Sequence, residues 1–157
     1  MQESKYQVAN WKKWKATRNL LASTKNELMN DIKAISYSNE LPGGGSHRSV
    51  IEKYNKLIDD LKIYDEYIRA YDVMIFRIEN AITNLLNKEQ RKILLIYANH
   101  PAKGDYRKRE DEALLIGLSR SNYYNKLSDI FNILDDALVI DTKNNKKIKD
   151  MFGLIED

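Results

Sequence analysis

The segment Arg109–Ser128, REDEALLIGLSRSNYYNKLS, gathers side chains able to read or grip a polyanion. Arginine holds guanine bidentately, asparagine does the same for adenine, and serine or tyrosine hydroxyls hold phosphate oxygens. On a helix, Arg120, Ser121, Tyr124, Asn125 and Ser128 fall on one face, because residues three and four apart are neighbours. Arg107, Lys108 and Arg109 stand just upstream, and Lys126 lies within the run. Such cations suit a phosphate backbone. With Ser119 as the cap of the helix, the candidate DNA-contacting set is Arg107, Lys108, Arg109, Ser119, Arg120, Ser121, Tyr124, Asn125, Lys126 and Ser128.

A helix-turn-helix would hold these residues in place, and the same twenty residues fit its pattern. A small residue is needed where the two helices touch, and Ala113 stands there. Four residues on, the turn needs a positive backbone angle, which Gly117 supplies without strain. Leu118 plugs the core, Ser119 caps the second helix, and Tyr123 and Leu127 face inward. The second helix would then present its N-terminal residues to a major groove. Lys126 takes a position where an apolar residue is usual, and its stem is expected to snorkel towards the duplex backbone.

Upstream, large residues at Trp11, Trp14, Leu21, Leu28, Ile32 and Ile35 recur at three and four spacing, with Arg18 and Lys25 interrupting the stripe. This predicts a helix from about Tyr6 to Ile35. The tryptophans are read as core in preference to an exposed anchor. Ser36–Ser46 contains Pro42 and Gly43-Gly44-Gly45 and is predicted to be a connector. No strand precedes it and no Lys-Ser or Lys-Thr follows, so it is not a phosphate-binding loop. From Val50 to Leu85 a four-three repeat runs through Tyr54, Leu57, Leu61, Tyr64, Ile68, Tyr71, Ile75, Ile78 and Ile82. It predicts one long coiled-coil-like helix, started by Ser49 and Glu52 as a capping box. Asn87 and Gln90 form a second capping pair. A helix with the stripe Ile93, Leu94, Ile96 and Tyr97 should follow and end near Asn99. Asp105 is the expected cap of the next helix. The last long helix should bury Tyr123, Leu127, Ile130, Leu134 and Leu138, and Ile148–Ile155 could add a short terminal one.

The expected fold is therefore all-α. An N-terminal antiparallel helical hairpin over residues 1–86, with its connector at 36–46, precedes a helix-turn-helix bundle over 87–157. The seam of the central helix is longer than the N-terminal helix can cover, which leaves room for the C-terminal helices or for a second copy in a homodimer.

Several of these stretches together resemble phage late transcriptional activators of the RinA/ArpU type. They are Tyr37 and Ser38 before Pro42-Gly43-Gly44-Gly45, the long heptad helix, Leu94 to Tyr97, and Gly117-Leu118-Ser119-Arg120-Ser121-Asn122-Tyr123-Tyr124. The resemblance covers about residues 30–138. It implies a C-terminal part similar to region four of sigma factors, double-stranded DNA and RNA polymerase as partners, and a phage or prophage activator acting at a promoter. His100–Lys108 is a few residues longer than the family's usual passage into the next helix.

Composition sets the remaining bounds. The chain has 157 residues, no cysteine, two histidines and a net charge of +3. Disulfides and thiolate metal sites are excluded, and no cofactor or metal is expected. Residues 88–128 carry 9 basic and 5 acidic side chains, whereas residues 129–157 carry 4 and 7. A basic segment beside an acidic tail suits an oriented nucleic-acid binder. No signal peptide and no membrane span are visible, and the expected location is the cytoplasm. Asp59-Asp60, Asp65-Glu66 and Asp135-Asp136 are neighbours on helices and splay apart. His47 and His100 sit in loops without a nearby nucleophile. The chain is therefore read as a binder and not an enzyme. Two other functions fit parts of the pattern: a protein–protein adaptor using the hairpin and Trp11/Trp14, and a small terminase-like DNA-packaging protein.

Overall fold

The computed structural model describes residues 2–38 and 47–138. Among them every regular element is helical: α1 (Glu3–Ser38), α2 (His47–Leu85), α3 (Lys88–Asn99), α4 (Tyr106–Leu115) and α5 (Arg120–Leu138), with a 3-10 turn at Lys103–Asp105 before α4. Most of the expected connector, residues 39–46, and the expected terminal helix Ile148–Ile155 lie outside the described residues.

The chain does not divide at residue 86. Among the described residues, one compact unit joins those up to Lys15 with those from Val73 to Leu138, and the other lies within Ala16–Asp72. Hydrogen bonds at the start of α1 give the reason. Ser4 Oγ lies 2.5 Å from Asp135 Oδ1 and 3.0 Å from Phe131 O, its one proton within reach of both, and the Ser4 backbone N–H donates to Asp135 Oδ1 at 3.1 Å. Buried Gln7 donates through Nε2 to Leu138 O at 3.1 Å. A carboxylate at the first turn of a helix satisfies an N–H that has no partner within the helix and complements the positive end of the helix dipole. Asp135 therefore anchors α1 on α5, and α1 begins at Glu3 instead of near Tyr6.

In this first unit the α5 stripe read from sequence, Tyr123, Leu127, Ile130, Leu134 and Leu138, is buried throughout, joined by Phe131. Ile93, Leu94, Ile96 and Tyr97 of α3 are buried as well, and Tyr97 meets Phe131 edge to face with ring centroids 5.1 Å apart. Trp14 is 3% exposed and packs edge-on against Tyr6, so it belongs to the core. Trp11 is half-buried and donates through its indole N–H to Glu79 at 3.3 Å. The heptad frame placed Leu85 inside, but α2 ends there; Leu85 is exposed and Leu86 turns inward. Asn87 and Gln90 then start α3 with a reciprocal capping box, at 2.8 and 2.9 Å. Arg91 Nη2 donates to Thr83 O at 2.7 Å, closing a carbonyl near the end of α2.

In the second unit the α2 seam is half-buried at Leu57, Leu61, Tyr64, Ile68 and Tyr71, while Tyr54, also on the seam, is exposed. Arg18 and Lys25, the two interruptions of the α1 stripe, are paired across the helices. Arg18 Nε donates to Asp72 Oδ1 at 2.7 Å, and Lys25 pairs with Asp65. Numbers rise on α1 as they fall on α2, so these two stretches run in opposite directions. α2 starts at His47, two residues before the expected capping box.

Candidate nucleic-acid interface

The turn between α4 and α5 follows from three residues. Ala113 is fully buried, as a close helix approach requires. Gly117 has φ +83°, a left-handed angle that a side chain would strain. The N–H groups of Gly117 and Leu118 donate back to Leu114 O and Ala113 O at 3.0 and 2.9 Å. This is the Schellman pattern, which closes carbonyls left open at a helix end. Leu118 is buried beyond the turn, and the Asn122 N–H donates to Ser119 Oγ at 3.3 Å, so Ser119 caps α5.

α5 leaves this turn with Tyr123 and Leu127 inward, and with Arg120, Ser121, Asn125, Lys126 and Ser128 exposed. Tyr124 is half-buried against Tyr123, ring centroids 5.1 Å apart. Burial pushes the Tyr123 phenol well above its ordinary range, while the nearby Arg109 charge pulls the other way. Lys126 does not run free along the surface: its ammonium lies 2.9 Å from Glu89 on α3. Arg107 and Lys108 are exposed on α4, with Arg107 beside the Tyr106 ring at 5.8 Å and Lys108 3.7 Å from Asp105. Asp105 makes no side-chain cap to α4, contrary to expectation, because the 3-10 turn carries the chain into the helix there.

Arg109 requires a correction. It is 7% exposed, and its Nη1 donates to His100 O and Ala102 O, both at 2.6 Å. Its guanidinium also lies over the Tyr97 ring, 6.0 Å from the centroid. It therefore pins the loop between α3 and α4 from inside and is turned away from solvent. His100 Nε2 sits 2.7 Å from Glu112 Oε1 and ties the same loop to α4. These two ties hold the loop between α3 and α4 against α4.

One residue near the exposed face carried no motif signal. Glu110 on α4 reaches α5, where its Oε1 lies 3.2 Å from Arg120 Nε and accepts from Tyr124 Oη at 3.4 Å. Only the separation of ten residues across a tight turn could have pointed to it. Among the described residues no group of three histidines or carboxylates converges as a metal site would. The chain matches no protein-family model, no curated protein and no solved structure.

Proposed function

We propose that this protein is a sequence-specific DNA-binding transcription regulator whose α4–turn–α5 segment is a helix-turn-helix. The observation that carries the reading is the closed turn. Buried Ala113, left-handed Gly117 and plugging Leu118 set two helices at close quarters, and the exposed start of α5 then offers Arg120, Ser121 and Asn125 together. An α5 of this kind enters a major groove with its first turns against base edges. Arg107 and Lys108 would meet phosphates on the approach from α4. The antiparallel stretches of α1 and α2 form a coiled-coil-like hairpin in this reading, the part that meets RNA polymerase or a second copy of the chain. The resemblance to phage late activators favours activation at a promoter in the cytoplasm, without catalysis.

The adaptor alternative keeps one supporting observation. Leu114, Leu115 and Ile116 are consecutive and exposed at the end of α4, Leu115 at 86%. Such a run suits contact with another protein. Of the two tryptophans that reading relied on, Trp14 is buried. Footprinting on the DNA that flanks the gene decides between them. Protection of a discrete site is expected, with Arg120→Ala or Asn125→Ala each costing about 1–3 kcal/mol of specific binding. Unaltered binding by both variants would remove α5 from the major groove.

A further inference from the structure

We infer that Glu110 is a positioning residue that aims Arg120 at a guanine. The inference rests on the DNA-binding reading above and names the base that the site selects. Arg120 begins α5, and its side chain is 77% exposed, whereas Glu110 is only 20% exposed. A bare arginine at such exposure samples many rotamers, and an ion pair there adds little stability. Orientation is a separate matter. Glu110 Oε1 lies against Nε of Arg120, at 3.2 Å, and no other polar partner among the described residues takes the guanidinium. The terminal edge, Nη1 and Nη2, is left open. Two parallel donors in that edge match the O6 and N7 acceptors of guanine in the major groove. Tyr124 Oη donates to the same carboxylate oxygen at 3.4 Å, so Glu110 is held from two directions while it holds Arg120.

An acid this close to a DNA face opposes phosphates. Its removal therefore has two effects of opposite sign. General affinity for duplex DNA should rise slightly. Discrimination at one base pair should fall, because an unaimed arginine contacts guanine and its competitors more equally. A residue with only a structural role moves neither reading in this pattern.

The test starts from a randomised double-stranded DNA library selected on the full-length chain. The recovered site and its single-base variants are then titrated with the parent, Glu110→Gln, Glu110→Asp and Arg120→Lys. The parent is expected to prefer guanine at one position by about 5-fold to 100-fold. Glu110→Gln should keep helicity, bind unrelated duplex as well as the parent or better, and lose most of that preference. Glu110→Asp should restore part of it, and Arg120→Lys should abolish it. A Glu110→Gln chain that gains affinity equally for every sequence would overturn the inference, leaving the acid a mere brake. So would a selected site without an Arg120-dependent guanine, and in that case the DNA-binding reading survives. A parent that enriches no duplex overturns both.

Discussion

Residues 16–72 and the bundle of α3, α4 and α5 are both built from helices with an apolar stripe, yet they bury it differently. In the first region no described residue is wholly buried; the seam stays half-covered, and ion pairs of Arg18 with Asp72 and Lys25 with Asp65 bridge the helices. In the second, Ile93, Leu94, Tyr123, Ile130, Leu134 and Leu138 are closed off from solvent. A stripe facing one partner helix keeps a wet margin, whereas a stripe facing several helices loses it. The difference teaches where precision is available. A face that must hold side chains to within a fraction of an ångström belongs on the closed bundle, and the candidate interface lies there.

The strongest way to break this contrast is a matched pair of truncations. Leu134→Ala, in the closed bundle, is expected to cost about 2–5 kcal/mol of stability. Leu61→Ala, on the half-covered seam, should cost about 1–2 kcal/mol, since part of that side chain already meets solvent. Urea denaturation of both variants checks this, and equal losses would erase the distinction.

Asp135 sharpens it next. Desolvation pushes its carboxyl up, but hydrogen bonds from Ser4 Oγ, from the Ser4 backbone and from Gln2 outweigh this and leave it below the usual carboxylate value. A group whose folded pKa is depressed stabilises the fold above its unfolded pKa and loses that contribution as pH falls through the folded value. Asp135→Ala should therefore cost about 2 kcal/mol at neutral pH. The gap to the parent should begin to narrow below about pH 4 and keep narrowing as pH falls through the depressed folded value. A gap that stays constant from neutral pH down to the acid-unfolding range would mean that the charge is not what anchors α1.

Gly117→Ala isolates the turn. A Cβ there would meet nothing within 4 Å, so only the left-handed angle opposes it. The expected loss is about 1–2 kcal/mol, and a smaller loss in thermal melts would show that the turn relaxes. The smallest effect belongs to the half-covered unit: Arg18→Ala should change stability by less than about 1 kcal/mol, and high salt should shrink even that.

Much of the bundle was legible in the sequence because its signals are local. Leu127, Ile130 and Leu134 repeat at helical spacing, Asn87 and Gln90 cap within three residues, and Gly117 stands where only a left-handed angle closes the turn. What escaped depends on distant partners. Ser4 and Gln7 look like surface residues until α5 supplies Asp135 and the carbonyls of Phe131 and Leu138, some 130 positions away. Arg109 reads as a phosphate ligand beside Arg107 and Lys108, and only the loop carbonyls of His100 and Ala102 reveal its inward role. Leu85 fits the heptad, but α2 ends at that residue, and Leu86 turns inward in its place. Arg18 and Lys25 break the α1 stripe in one dimension and complete it in three, through acids on α2.

The most direct test of the DNA-binding account is the salt dependence of binding to duplex DNA. Anisotropy titrations of the full chain across a range of salt concentrations should give a log affinity that falls linearly with log salt, with a slope of roughly one unit per phosphate neutralised. The double variant Arg107→Ala with Lys108→Ala should flatten that slope by about two units and keep its far-UV circular dichroism. Arg109→Ala should instead reduce stability, because its buried guanidinium holds the loop carbonyls of His100 and Ala102. A parent chain that ignores duplex DNA, or binds it with no salt dependence, would contradict the account.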